Sequence, residues 1–193
     1  MKLIATELPG VVIVEPAVFG DDRGWFYESF NEARFHAALA TLGVPAPRAF
    51  VQDNHSCSRA GVLRGLHYQL PPHAQGKLVR VVKGAAFDVA VDIRAGSPTF
   101  GQWTGVHLDA DNKRQLWVPE GFAHGFVALE DDTHFLYKTT DVYAKACERC
   151  IRWDDPAIAV QWPLPKGITL PLLAPKDAEA PLLAQADLPP LRA

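Results

Sequence analysis

Between Phe50 and Tyr143 the chain alternates short apolar runs of about five to eight residues with turn-forming clusters roughly every ten residues. The clusters lie at 58–61, 83–84, 95–99, 109–113, 119–121 and 130–132. Many short strands with regular turn punctuation predict an antiparallel sandwich or barrel rather than alternating strands and helices. Residues 61–77, GVLRGLHYQLPPHAQGK, read as one β-hairpin. An apolar run begins at Val62 and Leu63, Pro71 and Pro72 break it, Gly76 lets the chain turn, and a β-branched return strand follows over 78–82.

The flanks differ. Residues 3–19 carry Val11, Val12, Ile13, Val14 and Val18 and predict one or two strands interrupted at Pro9-Gly10 and Pro16. A turn at 20–26 and a strand over 25–30 follow. Asn31 is positioned to cap a helix over 31–43, with Glu32 in its first turn and Gly43 as its stop. Beyond Cys150 the chain is rich in proline and aromatic residues, with short helices expected at 154–160 and 178–184. The pattern predicts an all-β fold with a few short helices. One domain is expected over 1–193, with a core of about 3–150 and a wrapping segment 151–193.

Composition narrows the function. A chain of 193 residues with 48% hydrophobic and 21% charged residues has the balance of a globular domain with a sizeable core. A net charge of -3 offers no basic field for nucleic acid, although local Arg and Lys clusters can hold a small anion. No stretch approaches the roughly 20 apolar residues that span a bilayer. The opening MKLIATELPG has no signal-peptide apolar core, so a cytoplasmic protein is expected. Cys57 is isolated, and Cys147 and Cys150 form a single CxxC without the second pair of a zinc ribbon; all three read as incidental.

The candidate chemistry gathers in the predicted hairpin, where Arg64, His67, His73 and Lys77 sit between core-forming segments. Buried ionisable groups need partners, so they mark a structural network or a cleft. The chain also resembles the cupin superfamily of jelly-roll β-barrels. Pro119-Glu120-Gly121-Phe122-Ala123-His124 matches that group's Pro-x-Gly-x-x-His signature, and Gly61 followed by His67 matches the start of its other one. Gln69 stands where a second histidine ligand is expected, and Lys77 where a carboxylate is expected. An ammonium repels a divalent cation and an amide is a poor transition-metal ligand, so no metal is expected. What remains is a basic barrel mouth of Arg64, His67, Lys77 and His124. It suits proton abstraction beside a carbonyl, with His67 as base, Lys77 and His124 at the enolate oxygen, and Tyr137 as an acid for the opposite face.

Seven segments together resemble the dTDP-4-dehydrorhamnose 3,5-epimerase family: GLHYQ (65–69), GKLVRVVKG (76–84), DVAVDIR (88–94), FGQW (100–103), WVPEGFAHGF (117–126), LYKTTD with the following Tyr143, and IRWDDP (151–156). The resemblance runs from about Phe19 to Lys176-Asp177. It implies a cofactor-independent isomerase that epimerises C3 and C5 of dTDP-4-dehydro-6-deoxy-D-glucose through an enolate. A single-carbon epimerase or a keto-isomerase on a related nucleotide 4-keto-sugar is the alternative. By resemblance, His67 is the base, Tyr137 the acid, and Asp177 the carboxylate paired with His67. Asp88, Asp92 and Asp53 remain alternative partners for that imidazole. Gln52, Asp53, Asn54, Arg64, Lys77, His124, Tyr143, Glu148 and Lys176 are implied substrate contacts, with Tyr143 stacked on the thymine. Phe19, Arg23 and Glu28 match residues contributed by the partner subunit, so a homodimer is expected, with no nucleic-acid or membrane partner.

Overall fold

The computed structural model describes residues 1–190. Thirteen strands appear in chain order: β1 (Lys2–Ala5), β2 (Val12–Glu15), β3 (Val18–Asp21), β4 (Gly24–Tyr27), β5 (Gln52–Ser58), β6 (Leu63–Gln69), β7 (Lys77–Lys83), β8 (Ala85–Asp92), β9 (Trp103–Asp109), β10 (Gln115–Val118), β11 (Phe122–Ala128), β12 (Thr133–Thr139) and β13 (Glu148–Cys150). Helix α1 (Glu32–Thr41) lies between β4 and β5, and the four-residue α2 (Pro175–Ala178) follows β13. The strands form a six-stranded sheet, β1-β2-β10-β7-β12-β5, a five-stranded sheet, β13-β6-β11-β8-β9, and a separate β3-β4 hairpin. This is the two-sheet antiparallel architecture expected from the pattern, and the jelly roll implied by the cupin resemblance.

Three apolar layers explain the composition. Between the sheets, Val79, Val81, Leu116 and Phe135 meet Ala86, Ala90, Val106, Leu108, Phe122 and Phe126, with Phe126 and Phe135 stacked at 4.0 Å between centroids. Outside the six-stranded sheet, α1 lays Phe35 and Leu39 against Val12, Val14, Leu78 and Trp117. Each of these fully buried side chains contributes about 2–3 kcal/mol of transfer free energy. Outside the five-stranded sheet, Ile158, Leu183, Trp162 and Leu188 of the C-terminal segment cover Leu66, Val89, Val91 and Ile93. Strand β11 is therefore buried on both faces along its whole length, which is why every residue in it except His124 is apolar or glycine, without polar alternation.

Helix α1 starts where its capping chemistry predicts. The Asn31 side chain accepts from the Arg34 N–H at 3.1 Å, and Gly43 takes φ +67 just past the end.

Three expectations change. Residues 61–77 are not a hairpin: β6 pairs with β11 and β13, whereas β7 pairs with β10 and β12, so residues 70–76 carry the chain from one sheet to the other. Apolar alternation identifies a strand without naming its neighbour, and no two-residue turn constrained the pairing. Residues 154–160 form turns instead of a helix, because Asp155 Oδ1 accepts from the Ala157 and Ile158 N–H groups while Oδ2 accepts from Leu183 N–H at 2.6 Å. The helix expected at 178–184 is divided by Pro181: α2 ends at Ala178, and a 3₁₀ turn begins at Leu183.

Candidate active site

A cavity of about 480 Å³ opens between the sheets near residues 61–77, and the two sheets supply different groups to it. From the five-stranded sheet come Arg64 and His67 on β6, His124 on β11 and Glu148 on β13. From the six-stranded sheet come Lys77 on β7 and Tyr137 on β12. His124 lies directly across from His67 in the antiparallel ladder, and Cys150 flanks His67 on its other side. Strands β6 and β11 approach closely because glycines face each other. A Cβ on Gly65, whose φ is +133, would lie 2.5 Å from Gly125 Cα.

Each histidine has its own carboxylate. His67 Nε2 lies 2.6 Å from Asp177 Oδ1, and Asp177 itself is 1% exposed. Burial raises the Asp177 pKa, but the His67 hydrogen bond, the nearby His67 and Lys176 charges and the Gly65 N–H outweigh it, so the net pKa is lowered. An ionised Asp177 accepts the Nε2 proton and leaves Nδ1 of His67 as the basic nitrogen. His124 Nε2 lies 2.8 Å from Asp88 Oδ1. Burial pushes His124 down and Asp88 up against their mutual attraction, and Asp88 Oδ2 has no hydrogen-bond partner among the described residues. Of the alternatives for the His67 carboxylate, Asp88 thus serves His124, Asp92 holds Arg94, Ser97 and Thr99, and Asp53 pairs with Lys138 at 2.9 Å.

Lys77 is 9% exposed and donates from Nζ to the His67 carbonyl at 3.2 Å. Burial lowers its pKa to about 8, opposed by Asp88 and Glu148. Tyr137 packs against the central core and lines the cavity; burial raises its pKa, so its hydroxyl is a protonated donor at neutral pH. Glu148 links two further groups, accepting from Tyr143 OH at 3.0 Å and Lys176 Nζ at 2.8 Å. Burial raises its pKa, yet these hydrogen bonds bring it below the ordinary value. Gln69 also lines the cavity, but its polar atoms are taken up by the backbone: the amide nitrogen donates to the His73 carbonyl at 2.6 Å and the oxygen accepts from Ala144 N–H.

The cavity therefore gathers Arg64, His67, Lys77, His124, Tyr137, Tyr143, Glu148, Lys176 and Asp177. Gln52 and Asn54 lie beside it, joined to each other at 2.9 Å, and Gln52 accepts from the Tyr143 N–H. Asp53 points to the other face of β5 with Lys138. Phe19, Arg23 and Glu28 are not brought to the cavity within one chain. Phe19 and Arg23 sit on the exposed β3-β4 hairpin, where Arg23 pairs with Asp21, and Glu28 pairs with Arg34.

Sequence reasoning missed two polar residues of the lining and the neighbourhood of Cys150. Ser56 and Arg59 line the cavity without a recognisable motif. Cys150, read as incidental, lies 3.7 Å from Asp177 Oδ1, and its pKa is pushed up to about 12 by burial first and Asp177 next. A donor atom from each of His67, Cys150 and Asp177 falls within 4.8 Å of the others, so this trio has the spacing to hold a metal ion.

The family model described as dTDP-4-dehydrorhamnose 3,5-epimerase matches residues 5–185. A dTDP-4-dehydrorhamnose 3,5-epimerase of Shigella flexneri is 57% identical over 187 residues, covering 97% of this chain and 98% of the relative. A Pseudomonas aeruginosa protein of the same name is 55% identical over 187 residues, with the same coverage of 97% and 98%. The crystal structure of a dTDP-6-deoxy-D-glucose-3,5-epimerase from Legionella pneumophila in complex with dTDP-4-keto-L-rhamnose superposes with a TM-score of 0.91 at 50% identity, covering 100% of this chain and 99% of that one.

Proposed function

This chain belongs to the dTDP-4-dehydrorhamnose 3,5-epimerase family, and we propose that its His67–Asp177 pair and Tyr137 are the base and acid of the reaction. The enzyme is an isomerase that inverts C3 and C5 of dTDP-4-dehydro-6-deoxy-D-glucose to give dTDP-4-dehydro-L-rhamnose. The C4 ketone acidifies the protons on both neighbouring carbons, so one enolate chemistry serves each inversion.

In this reading Asp177 fixes the His67 tautomer and supports the imidazolium that forms when Nδ1 takes the carbon-bound proton. The developing C4 oxyanion is met by Lys77 and His124. Tyr137 returns a proton to the other face. The observation that carries this assignment is the placement of His67 and Tyr137 on opposite sheets across one cavity. Inversion requires a proton to leave one face of a carbon and arrive on the other, and two walls of a barrel supply two faces.

The remaining contacts follow from charge and shape. Arg64 and Lys176 are cations at the cavity and suit the diphosphate. Tyr143 is 53% exposed at the rim and suits stacking on the thymine, with Gln52 and Asn54 beside it. Phe19, Arg23 and Glu28 reach a second copy's cavity in a homodimer. The exposed aromatics of the β3-β4 hairpin support this, because Phe19 is 66%, Trp25 62% and Phe26 69% exposed, an unusual apolar surface for a lone hairpin.

The test is product analysis in deuterated water with the 4-keto-6-deoxy sugar nucleotide. Deuterium at both C3 and C5, with both centres inverted, is expected; label at one carbon alone would make the enzyme a single-carbon epimerase. Sedimentation of wild type against Trp25→Ala/Phe26→Ala is expected to show a dimer becoming a monomer, and a monomeric wild type would overturn the dimer.

A further inference from the structure

A second constellation lies on the outer face of the six-stranded sheet, away from the cavity. Strands β5 and β12 form an antiparallel pair in which His134 is directly opposite Cys57. Cys57 and His55 alternate with Ser56 and Asn54, so the former pair points away from the substrate side. Asp132, in the turn before β12, takes φ +58 and turns its carboxylate onto the same spot. Cys57 Sγ lies 3.1 Å from Asp132 Oδ1, and His134 Nε2 lies 3.4 Å from that oxygen. One donor atom from each residue falls within 4.8 Å of the others.

We propose that Cys57, Asp132 and His134 form a binding site for a zinc-like divalent cation, separate from the catalytic cavity. With Zn–S near 2.3 Å, Zn–N near 2.05 Å and Zn–O near 2.0 Å, tetrahedral angles place sulfur and oxygen roughly 3.5 Å apart, and nitrogen and oxygen roughly 3.3 Å apart. The observed 3.1 and 3.4 Å differ from these by a few tenths of an ångström, within a side-chain adjustment. Thiolate, imidazole and carboxylate are also the donor types that zinc and cobalt take, with a water completing the shell.

The surroundings complete the arrangement. His134 Nδ1 lies 2.9 Å from His55 Nε2, so once Nε2 of His134 binds a cation, Nδ1–H donates to His55 and orients the ring. Lys83 pairs with the other Asp132 oxygen, Oδ2, leaving Oδ1 turned to the cluster. Thiolate is the ligating form of cysteine, so binding displaces the Cys57 thiol proton to solvent as the metal–sulfur bond forms. A structural reading also exists for these residues, as a surface ion-pair network closing the β11–β12 turn. That reading predicts no thiolate coordination.

Cobalt(II) titration of the full-length, chelator-treated enzyme, followed by optical absorption, separates the two. One equivalent of cobalt giving a thiolate-to-metal charge-transfer band is expected. The band is lost in Cys57→Ser and in His134→Ala, and it persists in Cys150→Ser. His55→Ala keeps the band and weakens binding by about 10–100-fold, the range typical when the group orienting a ligand is removed. Epimerase activity of Cys57→Ser without metal equals that of wild type. Absence of the band in wild type overturns the site. So does a band that survives Cys57→Ser and disappears in Cys150→Ser, which would place the cation at His67, Cys150 and Asp177.

Discussion

Lys77→Met removes the buried ammonium while keeping most of the side chain's length, and it is expected to make the protein more stable and far less active. Burial lowers the Lys77 pKa from the ordinary 10.5 to about 8. At about 1.4 kcal/mol per pH unit, that drop corresponds to about 3 kcal/mol by which the folded state disfavours the cation. The lost hydrogen bond to the His67 carbonyl offsets about 1 kcal/mol of the gain. The net is about 2 kcal/mol at pH 7, or roughly 4–8 °C in melting temperature for a chain of this size. The sign of the pH dependence is also defined. Between pH 8 and 10.5 the unfolded chain keeps a proton that folded Lys77 has released, so wild-type stability rises with pH across that window. Below pH 8 the penalty is fully present, and above 10.5 it is gone. Lys77→Met lacks this rise. Urea unfolding at pH 7 and pH 10, at one protein concentration, measures both effects, and turnover of the keto-sugar nucleotide gives the activity. A variant less stable than wild type at pH 7, or one retaining the rise, would refute the claim that Lys77 is held as a strained cation for the C4 oxyanion.

Tyr137→Phe is expected to lower 3,5-epimerisation by about 10²–10⁴-fold while deuterium still enters C3 or C5 with retained configuration, as read by NMR. Inversion at the wild-type rate would exclude Tyr137 as the acid. Asp177→Asn is expected to lower kcat by about 10²-fold or more, through loss of the charge behind His67. Its stability deficit is present above pH 3.8, the ordinary Asp value, and shrinks as pH falls through the lower pKa of folded Asp177. Acid unfolding of the two proteins followed by circular dichroism measures that convergence, and a deficit unchanged down to pH 2 would contradict it.

The all-β class and the start of α1 were legible because they rest on local chemistry: strand periodicity, turn residues and the Asn31 cap. His67, Tyr137 and Asp177 were legible through motif resemblance, and the structure brings them around one cavity. Strand partners were not legible. Residues 61–77 look like a hairpin because both arms are apolar, yet the two arms belong to different sheets, and long-range pairing leaves no local mark. The partner of His124 was hidden for the same reason, whereas that of His67 was named through the resemblance alone. Asp88 reaches His124 through the β8–β11 ladder, and Asp177 reaches His67 from a segment 110 residues away. The burial of Cys150 beside Asp177 was likewise invisible, because its spacing to Cys147 says nothing of its neighbours.

The central claim is that His67 removes the proton next to the C4 ketone. Its most direct test is solvent deuterium exchange at C3 and C5 by His67→Ala, with the keto-sugar nucleotide followed by NMR under conditions where wild type exchanges both positions. The account predicts that exchange at both carbons falls by about 10²–10⁴-fold while the nucleotide still binds. Exchange at the wild-type rate at either carbon would contradict it.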